Sequence, residues 1–146
     1  MPTGRTDLSA TTMCTSFNLR KAARAVTQFY DDALRGTGLK STQFSLLAAA
    51  AQAGSMPISR LAAEMAMDRT TLTRNLKPLV AGGLLAIEAG QDRRVRRVAV
   101  TPEGEAALAR AMPAWRRAQT RMIDRLGDET WGDFLRQLQA ARRAAQ

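Results

Sequence analysis

Residues 59–83 read SRLAAEMAMDRTTLTRNLKPLVAGG, and their spacing decides the fold. After Pro57-Ile58, the inward-facing set Leu61, Ala62 and Met65 predicts a short helix with Ser59 as its cap. Ala66-Met67-Asp68 reads as a tight turn. Asp68 then offers an N-cap oxygen to a second helix, Arg69 to about Ala81, which Gly82-Gly83 stops. On that helix Leu72, Leu76, Leu79 and Val80 share one side and are expected to pack inward. Thr70, Arg74 and Lys77 lie opposite, flanked by Thr71 and Ala81, while angle alone puts Thr73 nearer the core side. Pro78 is expected to bend the helix end and free the Arg74 carbonyl.

Downstream the hydrophobic period changes. Leu84-Leu85-Ala86-Ile87 is a short apolar run, Ala89-Gly90-Gln91-Asp92 a turn cluster, and Arg93 to Thr101 a second apolar-basic run. This is a β-hairpin with a basic tip. Two short helices, a tight turn and a hairpin make a winged helix-turn-helix over residues 41–101. Alternation along the second strand puts Arg94 and Arg96 on one side and Arg93 and Arg97 on the other, with Asp92 placed to hold a guanidinium in a bidentate pair.

Outside this module the chain is helical. Residues 1–13 are rich in Thr, Ser and Gly and read as a flexible tail. From residue 14 an apolar stripe through Phe17, Leu19, Val26, Phe29, Tyr30 and Leu34 predicts a helix of about 20 residues, about 30 Å long, that Gly36 and Gly38 end. Ser41 is the expected cap of the next helix, through Phe44, Leu46, Leu47 and Ala50. Thr101 caps, and Pro102 begins, a helix reaching about Leu126, with Pro113 expected to kink it. Gly127 ends it, Asp128 caps the last helix, and Trp131, Phe134, Leu135 and Leu138 form its stripe. The fold class is mainly α with a small β-hairpin, a winged helix-turn-helix with flanking dimerisation helices at 14–40 and 102–146, in one compact domain. The flanking stripes are too extensive for a module of about 60 residues to bury, and such stripes mark an interface, most simply a two-fold homodimer.

The composition narrows the chemistry. The chain has 146 residues, with 22 Lys+Arg against 13 Asp+Glu and a net charge of +9, which points to a polyanionic partner. Counted along the sequence, residues 58–101 carry +4, residues 1–57 +3 and residues 102–146 +2, so the excess is densest in the central segment. The absence of His removes His-based acid–base catalysis and most zinc sites, and a single Cys, Cys14, excludes an intrachain disulfide or a CxxC motif. No carboxylate pair, phosphate loop or nucleophile–base set suggests an enzyme, and nothing implies a cofactor or metal. With no apolar span and no secretory leader, the expected setting is the cytoplasm, away from membranes.

The outward face of the second helix has the chemistry of duplex DNA recognition. Arg74 can take guanine N7 and O6 by two hydrogen bonds, Thr70 and Thr71 can meet phosphate or a thymine methyl, and Lys77 suits phosphate as a flexible point charge. Arg93 and its neighbours at the hairpin tip suit an electronegative minor groove. Two such modules in a dimer would meet successive major-groove faces of a pseudo-palindromic site, about 34–36 Å apart. The alternative is a non-specific basic nucleic-acid-binding or packaging protein, which predicts steep salt dependence without sequence preference.

The ordered set Leu61-Ala62, Asp68-Arg69-Thr70-Thr71-Leu72-Thr73-Arg74-Asn75-Leu76, Gly82-Gly83-Leu84-Leu85, Asp92-Arg93-Arg94 and Val100-Thr101-Pro102-Glu103-Gly104 resembles the MarR (multiple antibiotic resistance regulator) family, from about Leu19 to Leu138. The resemblance implies a homodimeric transcription regulator, usually a repressor, released by a small ligand or by oxidation. Carried over by position, Thr70, Thr71, Thr73, Arg74 and Lys77 match the DNA-reading helix, and Asp92 and Arg94 the wing pair. It also implies two candidate signals. Cys14 stands where some members carry a peroxide-sensing Cys, although those pair it with nearby tyrosines and this chain has only Tyr30. Phe17, Arg20, Arg24 and Tyr30 are the candidate lining of a cleft for an aromatic acid.

Overall fold

A computed structural model describes residues 5–146; the part of the expected tail at residues 1–4 lies outside the described residues. A 3-10 turn at Ser9–Met13 leads into α1 (Thr15–Leu34), so the segment read as a tail carries a helical turn before Cys14. The order continues α2 (Ser41–Ala53), β1 (Met56–Pro57), α3 (Ile58–Glu64), α4 (Arg69–Ala81), β2 (Leu85–Ala89), β3 (Arg96–Val100), α5 (Pro102–Leu126) and α6 (Asp128–Ala144). The helix-turn-helix is α3–α4 and the wing is β2–β3, as the spacing predicts.

The hairpin is not alone. β1 pairs antiparallel with β3 (Met56 opposite Val98, Pro57 opposite Arg97), making a three-stranded sheet of order β1-β3-β2. Two residues carry no alternation to read, and Pro57 has no N–H to give, which an edge strand tolerates. The hairpin register sets Leu85 against Val100 and Ile87 against Val98.

One core joins the module to the helices around it. Leu34 of α1, Leu46 and Leu47 of α2, Leu61 of α3, Leu72, Leu76 and Leu79 of α4, Leu85 of β2 and Val98 of β3 are all buried. α5 approaches through Ala107, Ala111, Ala114 and Ala118, buried at helical spacing, while Phe44 stacks on Trp115 with ring centroids 5.6 Å apart. At the two ends of the chain the picture reverses. Every residue from Arg5 to Gln28 is exposed, and α6 has no buried residue.

Three expected caps are displaced by one or two positions. Ser41, Ser59 and Asp128 lie inside their helices, behind N-caps Lys40, Pro57 and Gly127. The reason is clearest for α2. The Lys40 N–H donates to Gln43 Oε1 (3.0 Å), and the Ser41 N–H donates to Asp31 Oδ1 (2.7 Å), so a carboxylate of α1 satisfies a helix end that local sequence assigns to a serine. α4 and α5 each continue through their internal proline, Pro78 and Pro113.

The start of α5 is pinned to the wing. Thr101 caps it by accepting from the Gly104 N–H (3.0 Å), and its hydroxyl donates to the Gly83 carbonyl (2.6 Å) while its N–H donates to the Leu84 carbonyl (3.1 Å). The approach is so close that a Cβ on Gly104 would overlap the Leu84 carbonyl oxygen and come within 2.7 Å of Val100 Cγ1. Gly104→Ala is therefore expected to cost about 1–3 kcal/mol through overpacking, read as a lower urea-unfolding midpoint at unchanged m-value.

Candidate nucleic-acid interface

Asp68 sets where α4 begins. Its Oδ1 accepts from the Thr71 N–H (2.8 Å) and its Oδ2 from the Thr71 hydroxyl (2.7 Å). The Thr71 backbone bond, chiefly, holds the Asp68 carboxyl below its ordinary value, with the Thr71 hydroxyl adding to it. Before the cap, Ala66 takes a positive φ of 51°, which closes the turn between α3 and α4 within a few residues.

With Leu72, Leu76 and Leu79 buried, the opposite face is turned outward. Arg69, Thr70, Thr73, Arg74 and Lys77 line one shallow concavity of about 430 Å³. Thr70, Arg74 and Lys77 stand where expected. Thr73 does not lie on the core side: it is exposed among the basic residues, its hydroxyl donating to the Arg69 carbonyl (2.8 Å). Thr71 is half-buried and its hydroxyl is engaged by the cap. Arg69 is an addition that the sequence reading missed. Its position in the first helical turn beside Thr70, on the same exposed side as Thr73, was the available signal.

The wing tip is a loop rather than a strand end. The Gly90 N–H donates to the Val95 carbonyl (2.7 Å) and the Val95 N–H to the Asp92 carbonyl (2.9 Å). Asp92 does not hold a guanidinium: its Oδ1 accepts the Arg94 backbone N–H (3.0 Å), a local turn in which a short carboxylate reaches the nearby amide more readily than a flexible side chain. Arg93 and Arg94 sit in this exposed turn, so strand alternation does not sort them against Arg96 and Arg97. None of the three ion pairs among the described residues engages Arg69, Arg74, Lys77, Arg93 or Arg94, so their charge faces solvent uncompensated by a bound carboxylate.

The other candidates are dispersed. Tyr30 lines a cleft of about 300 Å³ bounded by α1, α2, α5 and the α3–α4 turn, with Ser45, Met65, Met67 and Trp115. Its hydroxyl donates to Gln119 Oε1 (2.5 Å), and burial raises its pKa. Phe17, Arg20 and Arg24 do not line that cleft; they lie on the exposed part of α1, where Lys21 Nζ sits 5.3 Å from the centre of the Phe17 ring. Cys14 is exposed at the N-cap of α1, and its carbonyl accepts from the Asn18 N–H and side-chain amide. No helix among the described residues is long and apolar enough to cross a membrane.

Comparison with known proteins decides the family. The MarR family model matches residues 39–95, the span from the loop before α2 to the wing. The Mycobacterium tuberculosis transcriptional regulator MosR, solved in complex with DNA, is 39% identical, with 91% of this chain and 99% of that one covered at a TM-score of 0.80. The chain belongs to the MarR family. A probable transcriptional regulator from Pseudomonas aeruginosa is 26% identical over 88% of this chain and 96% of its own, with a TM-score of 0.75. An Escherichia coli MarR mutant complexed with operator DNA shares the fold at a TM-score of 0.82 and 17% identity, covering 93% of this chain and 99% of that one. The chain has no match among curated proteins. These relatives are transcriptional regulators, and this MarR-family chain is a transcriptional regulator rather than an enzyme.

The Asp68 cap gives a test in acid. Because its folded pKa is depressed, its stabilisation is present above the unfolded value of about 3.9 and is lost as pH falls through the folded value. Asp68→Ala is expected to be less stable than the parent at neutral pH, with the two unfolding midpoints converging along a series from pH 7 to about pH 2.

Proposed function

We propose that this MarR-family protein is a homodimeric repressor that binds a pseudo-palindromic DNA operator, with α4 in the major groove and the wing tip at the minor groove. The observation that carries this reading is the outward face of α4. Arg69, Thr70, Thr73, Arg74 and Lys77 share one concavity, the leucines behind them fix its direction, and the exposed Arg93 and Arg94 project from the same module. A relative at 39% identity was solved bound to DNA, which supports the same partner here. In this arrangement Arg74 reads guanine, Lys77 and Thr70 hold phosphates, and Arg94 reaches into the minor groove. Asp92 shapes the turn that presents Arg94 rather than touching DNA.

The dimer rests on what the chain leaves uncovered. Phe17, Leu19 and Val26 of α1 and Phe134 and Leu135 of α6 are exposed large apolar side chains at the two chain ends. A two-fold partner that covers them sets two α4 helices about one DNA turn apart. Release is proposed through an aromatic ligand in the Tyr30 cleft or through oxidation of Cys14. The cleft abuts Met65 and Met67 just before the α4 cap, so filling it bears on the angle of the reading helix. The cytoplasm is the proposed location.

The deciding experiment is recovery of genomic fragments by the purified protein at physiological salt with excess competitor DNA. A few enriched pseudo-palindromes are the expected result; uniform, salt-sensitive recovery would instead establish a non-specific packaging protein. On a recovered duplex, Arg74→Ala is expected to weaken binding about ten- to a hundredfold and relax preference at one base pair, whereas Lys77→Ala weakens all sequences alike and lowers the salt slope by about one. Sedimentation is expected to give a dimer for the parent. Peroxide is expected to release DNA from the parent and not from Cys14→Ser; release that survives the substitution removes Cys14 from the mechanism.

A further inference from the structure

Arg97 differs from the other arginines of the wing. Arg93, Arg94 and Arg96 are exposed, whereas Arg97 is half-buried and its guanidinium is occupied. Nε donates to Ser55 Oγ (2.9 Å) and Nη2 to the Ser55 carbonyl (2.5 Å), a two-pronged grip on a residue 42 positions earlier. Ser55 sits in the turn between α2 and β1, just after Gly54, whose positive φ of 72° reverses the chain there. The arginine stem passes beneath the wing tip: a Cβ on Gly90 would lie 3.5 Å from Arg97 Cδ. Arg97 also borders the hollow under the tip with Gly90, Asp92 and Val95. Glu88 stands directly across from Arg97 in the hairpin register, yet no ion pair joins them; the guanidinium reaches past its cross-strand neighbour to Ser55.

We propose that Arg97 is a positioning residue for the wing. By tying β3 to the α2–β1 turn it sets the direction in which the Gly90–Val95 loop presents Arg93 and Arg94, and its own guanidinium does not meet DNA. The hairpin is held to the body by Leu85 and Val98 in the core and by two residues of edge pairing with β1, and the Ser55 grip adds two charge-assisted hydrogen bonds between that core and the wing tip. The fork of an arginine is needed, since a lysine cannot meet both oxygens with parallel donors.

The inference rests on the DNA-binding reading, and the test separates the two. Binding is measured by fluorescence anisotropy against a duplex recovered by the parent protein and against a scrambled duplex, with folding checked by circular dichroism. A parent that prefers neither duplex overturns the DNA reading. Given preference, Arg97→Gln and Arg97→Lys are both expected to weaken binding about tenfold, and Ser55→Ala to shift it less in the same direction. Arg94→Ala is expected to cost much less in the Arg97→Gln background than in the parent, because a misdirected wing has already lost that contact. Amide hydrogen exchange at Gly90 and Val95 is expected to quicken in Arg97→Gln while exchange in α4 does not change. Parent-like binding by Arg97→Lys, additive losses with Arg94→Ala, or unchanged wing exchange would each overturn the proposal.

Discussion

Burial of Leu72, Leu76 and Leu79 on one side of α4 is the constraint from which the interface follows. The helix has 13 residues, and three leucines spaced by four and three fix its rotation about its own axis. Once they are inside, Thr70, Arg74 and Lys77 have no choice of direction. Turning the helix by one residue, about 100°, would move a guanidinium toward the core and a leucine into water. Each such exchange costs at least the roughly 1.5–3 kcal/mol of burying a leucine side chain, and burying an unpaired charge costs more. The cap at Asp68 fixes the remaining freedom, the point along the axis at which the helix starts.

The elements carried by repeated spacing were legible in the sequence. The α3–α4 pair, both ends of α4, the hairpin and the Thr101-Pro102 start of α5 each carry a signal written in neighbouring residues, a cap, a turn cluster or a change of period, and local pattern is enough to find them. What escaped was set by distant partners. β1 exists because Met56 meets Val98 and Pro57 meets Arg97 of the distant β3. The end of α2 is satisfied by Asp31 of α1, so Ser41 was the wrong residue to credit. Arg97 reads like any other arginine of a basic run until its side chain is seen to reach Ser55. The site was legible to the same degree: the face of α4 was found except for Arg69 and the side on which Thr73 lies. Of the four residues expected around a cleft only Tyr30 lines the one seen within a single chain; Phe17, Arg20 and Arg24 lie on the exposed part of α1.

α4 and the wing are built on different footings. α4 is held along its length by core leucines, whereas the wing projects beyond Val98 with polar, mostly exposed residues. In the proposed DNA complex, rigid backing suits a surface that would distinguish base edges at hydrogen-bond precision. A loop that, in that complex, would meet a groove by width and potential can tolerate more motion, provided that its root is secured.

The cationic face is made of arginine and lysine, in a chain with no histidine at all. Both side chains keep their charge from acid well into alkaline solution, and histidine is the residue whose ordinary titration falls in the physiological range. The face therefore holds no residue type whose ordinary titration falls in that range. Dissolved salt, by screening its charge, is then the solution variable that tunes its attraction for an anion.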